Sequence, residues 1–174
     1  MSEGQIPAMR SIFVEKVTLN MGTGKEGERM EKAVKLLTVL TGRKPMQTIT
    51  RKRIPDWGVR PGLPLGVKVT LRRQPAVDLL KRLFVSRDNK IEASNFGLNG
   101  EFAFGITEYI DIPGIKYDPN IGVMGFDVCV TLQRAGYRIR RRRKMQRAIP
   151  SRHHISRDEA ISFVRSAFGV EVVS

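Results

Sequence analysis

The sequence predicts an α+β fold: a mainly antiparallel sheet with helices packed on one face, forming a two-layer sandwich. Two observations support this prediction. Several segments alternate apolar and polar residues, which is typical of strands with one buried and one exposed face. Between them, other segments space their apolar residues as helices do. The predicted order is β-α-β-β-α-β-β-α without an internal repeat or a composition break, so we expect a single domain over residues 1–174.

The strands are predicted from alternation in residues 12–21, 65–73, 101–107 and 123–133, with a further short strand over residues 46–50. Apolar residues in each segment would face the core. The opposite faces of the first two segments carry Lys16, Thr18, Asn20, Lys68, Thr70 and Arg72. These six polar side chains therefore give the sheet an outer face able to contact a partner.

Three helices are predicted between and after the strands. The first starts near Glu28 and ends before Gly42, the residue type that caps helix C-termini. The second begins near Pro75, since proline suits a first helical turn. The third follows Ser156, which has capping-box spacing to Glu159. The stretch from residue 88 to 100 is polar and contains glycine, so it is predicted to be a loop with at most a short strand.

Composition excludes several classes of protein. The chain has 174 residues, of which 41% are hydrophobic, and this is enough for a core of its own. A single cysteine, Cys129, excludes an intramolecular disulfide and a cysteine-rich zinc site. Residues 1–10 lack the pattern of a secretory signal, and no apolar run approaches the ~18 residues of a membrane span. We therefore expect a cytoplasmic protein that makes no contact with a membrane.

Charge is the most informative feature of the sequence. The net charge is +14, and it is concentrated in two segments. Residues 43–73 contain nine basic residues and one acid, and residues 134–157, here called the basic segment, contain ten basic residues and no acid. The rest of the chain is mildly acidic, with 12 basic and 16 acidic residues. Two uncompensated basic surfaces on an ordinary domain favour a nucleic-acid partner.

The basic segment is predicted to bind RNA phosphates and to become ordered only when RNA is bound, because ten cations without acids repel one another. Arginine dominates it, and the planar guanidinium fork suits phosphate. Its predicted phosphate-binding residues are Arg138, Arg140, Arg141, Arg142, Arg143, Lys144 and Arg147. A second basic loop, residues 51–64 and here called the arm, contains Arg51, Lys52, Arg53 and Arg60.

Trp57 lies in the arm within a Pro- and Gly-containing stretch, where a core tryptophan is unusual. One interpretation is a platform on which a base or ribose stacks. The alternative is a side chain that packs the arm against its own domain.

Other patterns are better explained by structure than by chemistry. Gly22, Gly24 and Gly27 have the spacing of a dinucleotide-binding turn, but the acid expected about 20 residues later is missing. Residues 100–106 resemble an aromatic RNA-binding strand, yet their two phenylalanines share a face with Ile106, which favours core packing. His153 and His154 are predicted to contact phosphate or solvent. No arrangement of acids, histidines or nucleophiles indicates catalysis, a metal site or a cofactor.

Several segments in order resemble one family. Residues 16–24 (KVTLNMGTG), 40–45 (LTGRKP) and 62–72 (GLPLGVKVTLR) are similar to the large-subunit ribosomal protein family that binds 5S rRNA, the L five family. Its archaeal and eukaryotic branch is indicated by NFG at Asn95, FGITE at Phe104, GIKYDP at Gly114 and HISRDEA at His154. The resemblance covers about residues 12–170.

The resemblance implies a structural role in the large ribosomal subunit. The family helps attach 5S rRNA in the central protuberance, and it contacts large-subunit rRNA and neighbouring proteins there. It also contacts a small-subunit head protein across the intersubunit bridge and P-site tRNA through the loop that corresponds to the arm. By resemblance, 5S rRNA is bound by Asn20, Arg43, Trp57 and Thr70, and the polar face adds Lys16, Lys68 and Arg72. Bacterial members have Gln and Phe where this chain has Arg43 and Trp57.

Two other functions compete with this one. A dinucleotide-dependent enzyme would be protected by nucleotide against thermal unfolding. A free regulatory RNA-binding protein would fail to sediment with large subunits at high salt.

Overall fold

A computed structural model of the chain describes residues 8–173. Residues 1–7, where the sequence shows no secretory signal pattern, and residue 174 lie outside the described residues. In the described range the helices are α1 (Gly27–Thr41), α2 (Gln74–Val85) and α3 (Arg157–Phe168). The strands are β1 (Ile12–Gly22), β2 (Met46–Ile49), β3 (Pro64–Arg72), β4 (Lys90–Glu92), β5 (Glu101–Ile106), β6 (Phe126–Arg134) and β7 (Glu171–Val173).

Five strands form one sheet in the order β2-β3-β1-β6-β5, and every neighbouring pair is antiparallel. The first strand of the chain is therefore the central one. Its pairing with β6 is irregular between Val14 and Lys16, where the register shifts by a residue. All five predicted strands belong to this sheet, so the predicted antiparallel architecture is confirmed.

The helices cover one face of the sheet, as predicted. Val17 and Leu19 of β1 are fully buried with Leu36 and Leu37 of α1. On α2, Leu80 and Leu83 belong to the same core. The other face of the sheet is polar and partly exposed. Because each strand alternates, burial of one face leaves the opposite face open to a partner.

The aromatic strand β5 belongs to the core. Phe102 and Phe104 are 2% and 5% exposed, and both rings stack against Phe84 of α2. This confirms the prediction that they are core residues rather than a base-stacking motif.

Two details differ from the predictions. The strand expected from residue 123 begins at Phe126. Directly before it, Gly125 passes so close to the Ile106 and Thr107 carbonyl oxygens that a Cβ would lie 2.7 Å from each. In addition, β4 lies in the stretch expected to be a loop with at most a short strand, but its parallel pairing with β7 was not predicted. Each has three residues, which is too short for a recognisable alternation.

The predicted helix boundaries are confirmed by their caps. Gly42 has a φ of 64° and donates its N–H to the Thr38 carbonyl, closing α1. Pro75 lies in the first turn of α2. Ser156 and Glu159 form a reciprocal capping box, in which the Glu159 amide donates to Ser156 Oγ and the Ser156 amide donates to Glu159 Oε2.

Glu159 also connects α3 to the end of β6. Its Oε1 lies 2.6 Å from Nη2 of Arg134, which is 4% exposed. The Ser156 amide is the main cause that lowers the pKa of the Glu159 carboxyl, opposed by burial and reinforced by Arg134. One carboxylate therefore caps a helix and neutralises a buried guanidinium at the start of the basic segment.

Glu159→Gln should lower the free energy of unfolding at neutral pH by about 1–3 kcal/mol, because a buried donor loses its charged acceptor. A carboxyl with a lowered folded-state pKa stabilises above its unfolded value and loses that contribution as pH falls. The difference between wild type and variant should thus shrink as pH falls below about 4.5. Urea unfolding at neutral and acidic pH measures this. Glu28→Gln, an exposed first-turn acid of α1, is the control and should cost only about 0.3–1 kcal/mol. A pH-independent difference would contradict the prediction.

Candidate nucleic-acid interface

The outer face of the sheet brings five predicted binding residues together. Asn20 on β1 is opposite Lys68 on β3, and Thr18 is opposite Thr70 one pair further along. The Thr18 and Thr70 hydroxyl oxygens are 3.3 Å apart. At the next position Lys16 is opposite Arg72. These side chains form a contiguous patch on two neighbouring strands, with hydrogen-bonding groups in its centre and cations around them.

Charge is unevenly distributed over this face. The half formed by β1 and β3 contains Lys16, Lys68 and Arg72, whereas the half formed by β6 and β5 contains Asp127 and Glu101. The basic half is the part suited to a polyanion. Cys129 lies on the other half, and burial, followed by the charge of Asp127, raises the pKa of its thiol. A raised thiol pKa opposes nucleophilic chemistry there.

An acid joins the sheet to the basic segment. Glu15 lies at the irregularity of β1, and its Oε1 accepts a hydrogen bond from Arg72 Nη1 at 2.8 Å and another from Arg141 Nη1 at 2.5 Å. Arg141 also donates from Nη2 to Gln133 Oε1 on β6 at 2.7 Å. Burial raises the pKa of the Glu15 carboxyl, but the hydrogen bonds and charges of the two arginines outweigh burial and lower it.

The arm is a closed hairpin. Ile54 and Val59 exchange backbone hydrogen bonds of 3.0 and 2.9 Å, and the Gly58 amide donates to the Pro55 carbonyl. At its base, Thr50 Oγ1 donates to the Leu63 carbonyl at 2.7 Å. The arm thus extends β2 and β3 beyond the end of the sheet.

Trp57 occupies the tip of the arm and is 68% exposed. It faces a shallow groove beside the glycine turn between β1 and α1. The side chain that packs the arm onto the domain is Val59, which is 2% exposed. This division of roles favours Trp57 as a contact residue over the packing alternative.

The other basic residues of segment 43–73 that were predicted to bind RNA lie beside the sheet and not on its outer face. Arg51, Lys52, Arg53 and Arg60 are exposed on the arm, and in the described part of the chain none of them forms an ion pair. Arg43 is also exposed, directly after α1, and its amide donates to Thr41 Oγ1. It therefore lies in the connection between α1 and the edge strand β2.

The basic segment has more internal contacts than its composition predicts. Tyr137 Oη donates to the His153 carbonyl, and the two histidine rings contact the Ala135 and Ile149 carbonyl oxygens through Nε2. Ile149 is 8% exposed. His153 and His154 are half-buried and help hold the segment together, and their contact with phosphate stays a prediction.

The prediction that no acid neutralises the arginines of the basic segment is wrong at two positions. Arg134 and Arg141 pair with Glu159 and Glu15, acids supplied by α3 and β1. The other predicted phosphate-binding residues are exposed, and in the residues that the structure describes they form no ion pair: Arg138, Arg140, Arg142, Arg143, Lys144 and Arg147. Order of residues 138–147 without RNA stays a prediction.

Glu15 and Gln133 are functional candidates that sequence reasoning missed. The available signal was the break in alternation, because the apolar Val14 and Val17 are three residues apart and both are buried. That spacing indicates an irregular strand, and irregularities re-aim side chains. Nothing in the sequence linked this position to an arginine 126 residues away.

The glycine turn, possible metal ligands and possible membrane-spanning helices were each compared with the structure. The glycine turn follows a strand paired antiparallel on both sides, unlike a dinucleotide-binding unit. Over residues 8–173 there is no cluster of three or more His, Cys, Asp or Glu able to hold a metal ion. In the same range no helix is long and apolar enough to cross a membrane.

Comparison with known proteins identifies one protein family over nearly the whole chain. Residues 8–60 match the family model for ribosomal protein L5, and residues 64–163 match the model for the C-terminus of the same ribosomal protein family. The chain is 49% identical to the large ribosomal subunit protein uL5 of Nanoarchaeum equitans over 166 residues, which cover 95% of this chain and 98% of the relative. It is 46% identical to the protein of that name from Sulfurisphaera tokodaii over 175 residues, covering 99% of each.

These matches establish the coarse function that the sequence motifs implied. The relatives are structural components of the large ribosomal subunit rather than enzymes, and their partners are the ribosome and its rRNA. With both halves of the chain matched and relatives of almost equal length, the chain belongs to the ribosomal protein L5 family and is a structural constituent of the large ribosomal subunit.

Proposed function

We propose that the protein binds 5S rRNA through the basic half of the sheet's outer face and helps attach it in the central protuberance. The observation that carries the proposal is the patch in which Asn20 and Thr70 lie on paired strands, flanked by Lys68, Arg72 and Lys16. An amide and a hydroxyl can hydrogen-bond sugars, bases or phosphates, while the cations attract the backbone. Arg43 at the neighbouring edge adds a phosphate contact.

The arm and the basic segment extend this interface. The arm presents Trp57 at its tip and four cations along its length, and we infer that Trp57 contacts 5S rRNA while the cations reach P-site tRNA. The basic segment, with its exposed arginines, contacts large-subunit rRNA through phosphates. A small-subunit head protein and neighbouring central-protuberance proteins complete the proposed set of partners.

Asn20→Ala combined with Thr70→Ala should weaken 5S rRNA binding by ~2 kcal/mol or more, because hydrogen bonds are removed and groups on the RNA are left unpaired. Filter binding and footprinting of 5S rRNA measure this. The control is Thr107→Ala, which removes an exposed hydroxyl directly after β5, at the edge of the sheet away from β1 and β3. Tight binding by the double variant with an unchanged footprint would overturn the assignment.

Trp57→Ala should weaken RNA binding by ~1–3 kcal/mol if a base stacks on the indole, whereas Trp57→Phe should have a smaller effect because the aromatic plane is kept. Thermal unfolding of the free protein should change little, since the ring is mostly exposed. A lowered melting temperature with unchanged RNA affinity would show instead that Trp57 serves the protein's own packing.

Replacing Arg140, Arg142 and Arg143 with Gln should flatten the slope of log affinity against log salt by ~0.7–0.9 for each phosphate that the protein no longer neutralises. The reduction in affinity should be similar for RNAs of different sequence, because phosphate contacts position without specifying. Arg141 is left unchanged because it pairs with Glu15. Lys32, Lys35 and Lys81, replaced together by Gln, are a control with the same charge change on the helical layer. Equal effects of the two triple variants would contradict a local phosphate site.

The basic segment's order in the free protein is measured by hydrogen exchange. We expect amide protection over residues 138–147 that is weak but measurable without RNA and stronger in the complex. Strong protection in the free protein would show that the segment is folded before it binds.

A further inference from the structure

Glu15 occupies an unusual place for an acid. It lies between the two basic surfaces of the protein, with one carboxylate oxygen accepting hydrogen bonds from Arg72 on β3 and Arg141 in the basic segment. The Glu15 side chain is 11% exposed, whereas those of Arg72 and Arg141 are 54% and 51% exposed. The carboxylate is thus covered by the two guanidiniums, whose outer sides remain open to solvent.

Two roles are conceivable for an acid at this position. As an opposing charge, it would repel phosphates and weaken RNA binding. As a positioning group, it would hold two cations close together that otherwise repel each other. Its depth favours positioning, because an approaching phosphate meets the exposed guanidiniums before the covered carboxylate. Gln133 supports the same arrangement by accepting a hydrogen bond from the second Nη of Arg141 at 2.7 Å.

We propose that Glu15 is a positioning residue that holds Arg141, and with it the start of the basic segment, beside Arg72 in the RNA-free protein, so that sheet and segment present one continuous cationic surface to rRNA. Arg141 follows directly after the short 3₁₀ helix Tyr137–Arg140, so fixing its side chain fixes the direction in which the segment leaves the sheet. Arginines held in place before binding lose less conformational freedom when phosphate binds. This proposal rests on the rRNA binding proposed above.

The two roles predict opposite changes in RNA affinity when Glu15 is replaced by Gln. Glu15→Gln adds one unit of positive charge, and so does Asp127→Asn, which changes an exposed acid on the same sheet face outside the Glu15 site. If Glu15 positions the arginines, Glu15→Gln should weaken binding of 5S rRNA, the proposed partner of Arg72, and of large-subunit rRNA, the proposed partner of Arg141, about threefold although its net charge is more favourable. Asp127→Asn should leave both affinities unchanged or raise them up to about twofold. Affinity that is unchanged or raised in Glu15→Gln would overturn the proposal.

Hydrogen exchange on the free protein tests the same interaction without RNA. Glu15→Gln and Arg141→Gln should each speed amide exchange over residues 137–147 by about two- to fivefold, the range for partly exposed ion pairs. The double variant should exchange no faster than either single variant, because both remove one interaction. Additive effects, or no effect, would overturn the proposal. If wild-type protein fails to bind 5S rRNA while exchange responds as described, the rRNA assignment fails and the positioning role stands.

Discussion

The pairing of β1 with β3 on one side and β6 on the other is the constraint on which the rest of the structure depends. As the central strand of five, β1 has its backbone groups paired on both edges, so its side chains point only to the helical layer or to the outer face. Val17 and Leu19 are fully buried on one side, and Thr18 and Asn20 take the other. The same alternation therefore builds the core and the interface, and a one-residue slip would bury Asn20 and expose Leu19.

The single irregularity in that pairing has a structural consequence. Between Val14 and Lys16 the register with β6 shifts, and Glu15 lies there, beneath Arg72 and Arg141. Regular alternation would place residue 15 on the face of Val17 and Leu19, in an apolar core where an ionised carboxylate is costly. The irregularity lets an acid sit at the rim of the sheet, where two guanidiniums compensate its burial. A local departure from strand geometry thus links two basic regions that are distant in sequence.

Sequence reasoning succeeded where local periodicity determines the structure. The five strands of the main sheet, the three helices, the Gly42 and Ser156 caps and the outward placement of Asn20 and Thr70 all follow from patterns a few residues long. Sequence reasoning failed where two interacting residues are far apart in the sequence. The neutralising roles of Glu15 and Glu159, and the parallel pair of β4 and β7, depend on contacts that no local pattern encodes. Counting charges only within residues 134–157 therefore missed the acids elsewhere in the chain that neutralise two arginines of the basic segment.

The two kinds of surface in the proposed interface differ in their rigidity. Asn20 is on the central strand, which is paired on both sides, and Thr70 is paired with Thr18 of the same strand, so their donors and acceptors are held at fixed positions, as the proposed discrimination between RNA sites requires. The exposed arginines of the basic segment and the cations of the arm lie outside the sheet, on chain connections with fewer backbone bonds. Phosphates are repeated along every RNA strand, so a side chain that contacts phosphate does not need a fixed position. Arg72 and Arg141 share features of both surfaces. Their side chains are about half exposed, but both guanidiniums donate hydrogen bonds to the Glu15 carboxylate on the central strand, which restricts their movement.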